Sequence, residues 1–210
     1  SSVFIDWANH CSISRGLVDV SDINSGYPSV GDSSSALGLA GENGVVSLGD
    51  GGVAVLTFSS PISNDPGWDF AVFENAFSDD YLELAFVEVS SDGVNYFRFS
   101  TTSNTQENLQ IDAFGSIDAT KINNLAGKYR SLFGTPFDLE ELLLLPGLDV
   151  NNITHVKIID VVGSVLTNYG TYDDNGNIIN DPWPSPFPSS GFDLDAVGVI
   201  NQAPLFIDSE

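Results

Sequence analysis

Carboxylates stand inside apolar runs at several points of this chain. Asp69, Glu74 and Asn75 bracket the run Phe70-Ala71-Val72-Phe73. Glu88 lies within residues 84–90, Asp160 within 156–162, and Asp193 and Asp195 within 191–197. Burying a carboxylate is costly unless it is paired, hydrogen-bonded or bound to a metal. Hard cations take roughly six to eight oxygens from carboxylates, amides and carbonyls. Asp69, Glu74, Asn75, Glu88, Asp160, Asp193 and Asp195 therefore read as a Ca2+ ligand set, delivered by strand ends meeting at one rim of a sandwich. The plainer reading is that each acid satisfies nearby backbone amides or a neighbouring Arg or Lys. A glycosidase pair is a third reading. It needs two carboxylates about 5–10 Å apart across a sugar cleft, and the spacing selects no such pair.

A second group of residues could bind rather than react. The run Asp181-Pro182-Trp183-Pro184-Ser185-Pro186-Phe187-Pro188 is stiffened by its prolines and kept out of a central strand. Trp183 and Phe187 either face outward as a stacking platform or fold back as a lid on the core. With Trp68, Tyr169 and Tyr172 they form the candidate contact surface for a ligand. Nucleophilic catalysis has little support, since His10 adjoins Cys11 and strand neighbours point to opposite faces. One Cys and two His also serve zinc poorly. Asp173, Asn175, Asn177 and Asp181 have a calcium-loop look, but Ile178 stands where that loop needs glycine. Asn175-Gly176 reads instead as a hairpin turn.

The elements that must position these residues are strands. The chain has 210 residues, no Met, abundant Gly, and frequent Val, Ile, Phe and Tyr, which favours an all-β domain. Residues 3–7, 70–75, 84–90, 96–99, 155–162 and 193–200 read as strands, and Ser91-Asp92-Gly93 as the turn of a hairpin. Residues 45–48 and 53–58 flank Gly49-Asp50-Gly51-Gly52 and read as another hairpin; a phosphate loop would need a following helix. Residues 10–44 read as a long loop. A short helix is expected with Thr135 as its cap and Pro136 in its first position. These features predict a jelly-roll β-sandwich with long loops and one or two short helices. It would be a single ligand-binding domain over residues 1–200, with 201–210 as a linker or tail.

Charge narrows the partners. The formal net charge is −23, with 29 acidic against 6 basic residues, which disfavours nucleic acid and anionic membranes. It suits cation binding or solubility. A lone cysteine precludes an internal disulfide, and no apolar run approaches the roughly 18–20 residues of a membrane span. The opening Ser-Ser reads as a mature or trimmed start from which a signal peptide has been removed.

The motifs Leu48-Gly49-Asp50-Gly51-Gly52, Asp69-Phe70-Ala71-Val72-Phe73-Glu74-Asn75, Val87-Glu88-Val89-Ser90-Ser91-Asp92-Gly93, Asn180-Asp181-Pro182-Trp183-Pro184 and Gly191-Phe192-Asp193-Leu194-Asp195-Ala196-Val197 follow one another along nearly the whole chain. In this the chain resembles a family of Bacteroidetes cell-surface proteins that often carry a type IX secretion sorting domain. More distantly, the hairpin after Val87 and the strand at 155–160 are similar to those of discoidin-type, galactose-binding-like jelly rolls. Those are mostly non-catalytic sugar or surface binders, many with a structural calcium. The resemblance implies an extracellular or cell-surface binding module, stabilised by Ca2+ and taking a carbohydrate. Three alternatives stay open beside it. One is a surface protein capturing a scarce nutrient such as cobalamin for an outer-membrane uptake receptor. The others are an adhesive or structural spacer, and a glycan-acting enzyme using paired carboxylates.

Overall fold

Period-two runs of apolar residues become two antiparallel sheets packed face to face. The structure is a computed structural model and describes residues 3–203. Its strands are β1 (Asp6–Trp7), β2 (His10–Ser14), β3 (Val46–Ser47), β4 (Val53–Ile62), β5 (Phe70–Glu74), β6 (Ala85–Ser90), β7 (Phe97–Arg98), β8 (Thr102–Ser103), β9 (Ile122–Asn123), β10 (Thr135–Phe137), β11 (Ile153–Asp160) and β12 (Asp193–Val199). One five-stranded sheet runs β1-β12-β5-β10, with β3 also pairing β12; the other runs β2-β4-β11-β6-β7. A small sheet joins β8 to β9. The chain is an all-β sandwich with long loops, and its two short helical pieces are 3₁₀ turns at Ala119–Lys121 and Leu139–Leu142.

The core follows from alternation. Phe70 and Val72 of β5 face inward with Leu194, Val197 and Val199 of β12, against Leu56, Val87, Val89, Val156 and Ile158 of the opposite sheet. Ala71, Phe73 and Ala196 point the other way and are covered by Phe4 and Trp7. Leu194 and Val197 share the inner face although they are an odd number of residues apart. The register supplies the reason: Leu194 pairs with Glu74 and Ala196 with Phe73, so Asp195 is the extra residue of a β-bulge. A second apolar cluster (Ala76, Leu82, Leu84, Phe86, Ile117, Leu125, Ile179) lies beneath the long loops at one end.

Three expectations are corrected. Residues 45–58 do not form a hairpin: β3 pairs with β12, while β4 pairs with β2 and β11. The Gly49–Gly52 segment instead carries the chain from one sheet to the other. It can do so because Gly16 approaches it closely: a Cβ on Gly16 would meet the Asp50 carbonyl oxygen at 1.9 Å. Residues 10–14 are strand rather than loop, with His10 exposed and Cys11 buried on opposite faces. Thr135 and Pro136 do not open a helix. They pair with Val72 and Ala71 of β5, and Asp138 caps the 3₁₀ turn by accepting from the Glu140 N–H at 3.0 Å. Pro136 is tolerated because β10 is an edge strand. Of the expected tail, Gln202 bridges to Ile62, and residues 204–210 lie outside the described part.

Candidate ligand-binding cleft

β5 enters the sandwich at Phe70 and leaves it at Glu74, and the two ends carry different acids. At the entry, Asp69 Oδ1 accepts from the Asp65 N–H at 3.0 Å and Asn201 Nδ2 at 2.9 Å, and Oδ2 accepts from the Leu139 N–H at 2.8 Å. At the exit, Glu74 Oε2 accepts from the Ala76 N–H at 2.7 Å. Its other oxygen, Oε1, is buried without a hydrogen-bond partner. A β-strand rises about 3.3 Å per residue, so the two carboxylates are roughly 17 Å apart along the strand.

Around Glu74 the long loops converge. Asp193, at the start of β12, accepts a short hydrogen bond from the Ser47 hydroxyl of β3. Glu83 precedes β6 between the fully buried Leu82 and Leu84. A cavity of about 480 Å³ opens here, lined by Asn75, Phe77, Tyr81, Glu83, Phe114, Ser185, Phe187, Ser189 and Asp193. This volume suits a small ligand.

Aromatic rings form one wall. Phe77 stacks on Tyr81 with centroids 4.3 Å apart, Tyr81 contacts Phe114 at 6.3 Å, and Phe114 contacts Phe187 at 5.3 Å. Local bonds hold the rings in place. The Ser78 hydroxyl accepts from the Tyr81 N–H at 3.0 Å, and the Ile117 N–H donates to the Asp80 carbonyl at 2.7 Å. The Pro-rich loop is fastened at both ends. Trp183 N–H donates to the Ile111 carbonyl at 3.0 Å, and the Ser190 hydroxyl to the Val18 carbonyl at 2.7 Å. Its two rings have separate fates. Trp183 is 7% exposed, donates from Nε1 to Asp50 Oδ2 at 2.9 Å and packs against Tyr169, whereas Phe187 is 37% exposed on the cleft wall.

The cleft is electrostatically one-sided. Burial pushes Glu74 and Glu83 well above the usual carboxylate range; the charges of Asp193 and Asp195 add to it at Glu74, and those of Glu74, Asp193, Asp181 and Asp160 at Glu83. Burial likewise raises Asp193 to about 6, against hydrogen bonds from Ser47 and Asn75. Below the cleft, Asp181 accepts from the Leu84 N–H at 2.6 Å and Asp160 from the Phe192 and Gly51 N–H groups at 2.6 and 2.8 Å. Both are raised well above normal by burial, then by neighbouring acids. Burial raises the Tyr81 hydroxyl too, followed by the charges of Glu83, Asp181, Glu74 and Asp193. No protein-family model, no curated protein and no solved structure matches the chain. The residues themselves must therefore carry the functional reading.

The proposed calcium set does not assemble as one centre. Glu74, Asn75 and Asp193 come together, and Asp160 lies in the same buried acidic neighbourhood. Asp69 is at the other end of β5, and Asp195 accepts from the Gly41 N–H at 3.0 Å on the bulge. Glu88 sits between Lys157 at 2.7 Å and Arg98 at 2.8 Å. Among the described residues, no group of three or more His, Cys, Asp or Glu side chains is placed to hold a metal ion. The seven residues are thus dispersed over separate places in the fold. The aromatic candidates also divide. Phe187 lines the cleft, Trp183 and Tyr169 pack together beneath the loop, Tyr172 is exposed at a turn, and Trp68 lines a separate depression with Tyr129 and Lys128. The Asn175-Gly176 turn forms as expected, with Tyr172 bridged to Ile178.

Glu83, Tyr81, Phe77 and Phe114 were not singled out by sequence. For Glu83 the signal was present, since Leu82-Glu83-Leu84 is an acid within an apolar run, the same pattern that marks Glu88. For the rings there was none, because Phe77 and Phe114 sit in polar loops distant in sequence and only the fold joins them.

Proposed function

We propose that the protein is a non-catalytic binding module, displayed outside the cell, that takes a carbohydrate in this cleft. The observation that carries the reading is the ring sequence Phe77-Tyr81-Phe114-Phe187 facing the same cavity as Asn75, Glu83, Ser185, Ser189 and Asp193. Sugar rings offer apolar C–H faces to aromatic rings, and their hydroxyls donate to carboxylates and amides. The placement outside the cell rests on the resemblance to secreted surface proteins.

Titration calorimetry against a panel of glycans, with cobalamin included, tests it. Phe187→Ala and Phe114→Ala should each weaken binding about tenfold, the equivalent of ~1.4 kcal/mol. Tyr172→Ala and Trp68→Ala should leave it unchanged. Binding that vanishes only with Trp68→Ala would move the site to the other depression. Tight binding of cobalamin alone would replace the glycan.

One observation favours a second reading, glycoside hydrolysis. Glu83 and Asp193 both line the cleft and burial raises both carboxyls, as in carboxylate pairs that divide the acid and base roles. Release of reducing ends from a bound glycan, lost in Glu83→Gln, would establish it.

A further inference from the structure

The cleft and the strand end behind it hold carboxyl oxygens without hydrogen-bond partners. Glu74 is 1% exposed and its Oε1 accepts from nothing; Glu83 is 6% exposed and receives no hydrogen bond among the described residues. A buried carboxylate oxygen in this condition costs several kcal/mol unless something binds it. The chain's own cations lie elsewhere, Lys121 among them, which sits beside Asp118 in a separate depression. Arg98 and Lys157 both pair with Glu88, and Arg130 pairs with the exposed Asp79. Arg15, whose guanidinium approaches Ser47 behind Asp193, donates to the carbonyls of Ser47 at 3.1 Å and Val30 at 2.8 Å. Lys128 donates to the Ile122 carbonyl at 2.8 Å. None of these cations lines the cleft, so a counter-charge for its carboxylates in their ionised form comes only with a ligand.

A metal ion is a poor candidate, since no three acids converge on one point. An ammonium group asks for less. It has three N–H donors on a compact charge and is satisfied by one or two carboxylates and an amide oxygen. It also gains from aromatic faces within about 6 Å, which Tyr81 and its stacked neighbours line up beside Glu83. We propose that the ligand of this cleft bears a primary ammonium, seated between Glu83, Asp193 and the Asn75 amide, with its carbon skeleton against the Phe77-Tyr81-Phe114-Phe187 rings. This rests on the preceding reading of the cleft as the binding site. With that reading, it names the ligand class as a deacetylated amino sugar. The neutral N-acetyl sugar would stack equally well but would leave the carboxylates uncompensated. Raised carboxyl pKa values agree with this arrangement, because these groups hold protons that an arriving cation would displace.

The test uses three probes in titration calorimetry at low salt. They are a glucosamine tetramer, its N-acetylated counterpart, and spermidine, which has the charge without the ring. The glucosamine tetramer should bind at least tenfold more tightly than the acetylated one. Glu83→Gln and Asp193→Asn should each erase that preference, with thermal melts confirming that both variants are folded. Glu42→Gln, an exposed charge change away from the cleft, should preserve it. Equal affinity for the two tetramers would overturn the ammonium inference and leave the carbohydrate reading standing. Loss of the preference in Glu42→Gln as well would also overturn it, by assigning the effect to overall charge. Binding of spermidine but neither tetramer would uphold the ammonium seat and overturn the carbohydrate reading. Binding of none of the three would overturn the inference.

Discussion

Asp69 and Glu74 occupy the two ends of one strand and are equally buried, at 0% and 1% exposure, yet they are in opposite conditions. Asp69 is a fastener. Both its oxygens are used, and they tie together the loop at Asp65, the 3₁₀ turn at Leu139 and the chain after β12 at Asn201. Glu74 ties only its own turn at Ala76, and its free oxygen faces a neighbourhood of other acids. Burial alone does not distinguish a fastened carboxylate from an unfastened one; the count of donors does. Glu88 is a third case. Burial works to raise it, but hydrogen bonds and charges from Lys157 and Arg98 prevail and hold it below the usual range.

The contrast can be broken most directly at Asp69. Asp69→Ala strips partners from two backbone N–H groups and the Asn201 amide. It should lower stability by roughly 3–5 kcal/mol in urea unfolding, far more than the same change at Glu74. Equal losses at the two positions would erase the distinction.

The next effect is pH dependence. Folded Asp193 keeps its proton up to about pH 6, whereas its unfolded value is 3.8. Between these values the folded state binds more protons, so stability falls as pH rises, by up to about 3 kcal/mol. The titratable groups sharing its neighbourhood, Glu74, Glu83 and Asp160, are shifted the same way, and Ser47 and Asn75 are its donors. Glu88 acts in reverse, and its contribution is lost as pH falls below the unfolded value of 4.5. Urea midpoints should therefore peak near pH 4 and decline toward pH 8. A midpoint that climbs from pH 5 to pH 8 would contradict the uncompensated cluster.

Glu74→Gln sharpens the contrast from the other side. Removing a charge that lacks a partner should leave stability unchanged or raise it by about 1 kcal/mol; a loss above ~2 kcal/mol would mean Glu74 is a fastener after all. The smallest effect is expected from calcium. Melts in calcium and in magnesium should coincide, because the acids do not converge. A calcium-selective rise would show that the loops around Asp193 regroup about an ion.

Much of the scaffold was legible from short-range pattern. The two faces of β5, with Phe70 and Val72 opposed to Ala71 and Phe73, follow from alternation. The β6–β7 hairpin follows from Ser91-Asp92-Gly93, where Asp92 accepts from the Val94 and Asn95 N–H groups at 2.8 Å each. Pairing partners were less legible. Residues 46–47 and 53–62 look like the arms of a hairpin, but β3 finds its partner in β12, nearly 150 residues on, by a register of Ser47 opposite Asp193. The site was legible only in part. Asn75, Asp193 and Phe187 were found by residue type, Glu83 was passed over despite its flanking leucines, and Trp183 and Phe187 could not be told apart by a proline-rich sequence alone.

What the sequence determined by itself is what neighbours in the chain can enforce: an all-β chain, its turns, its excess of negative charge, and the presence of acids that would be buried. What the tertiary structure alone decided is the fate of each acid. Of the three donors to Asp69, one lies four residues away and the other two 70 and 132, and the hydroxyl that meets Asp193 comes from 146. A buried carboxylate is settled or left open by groups that only folding brings within hydrogen-bond reach, so no local pattern around Asp69 and Glu74 could have separated them.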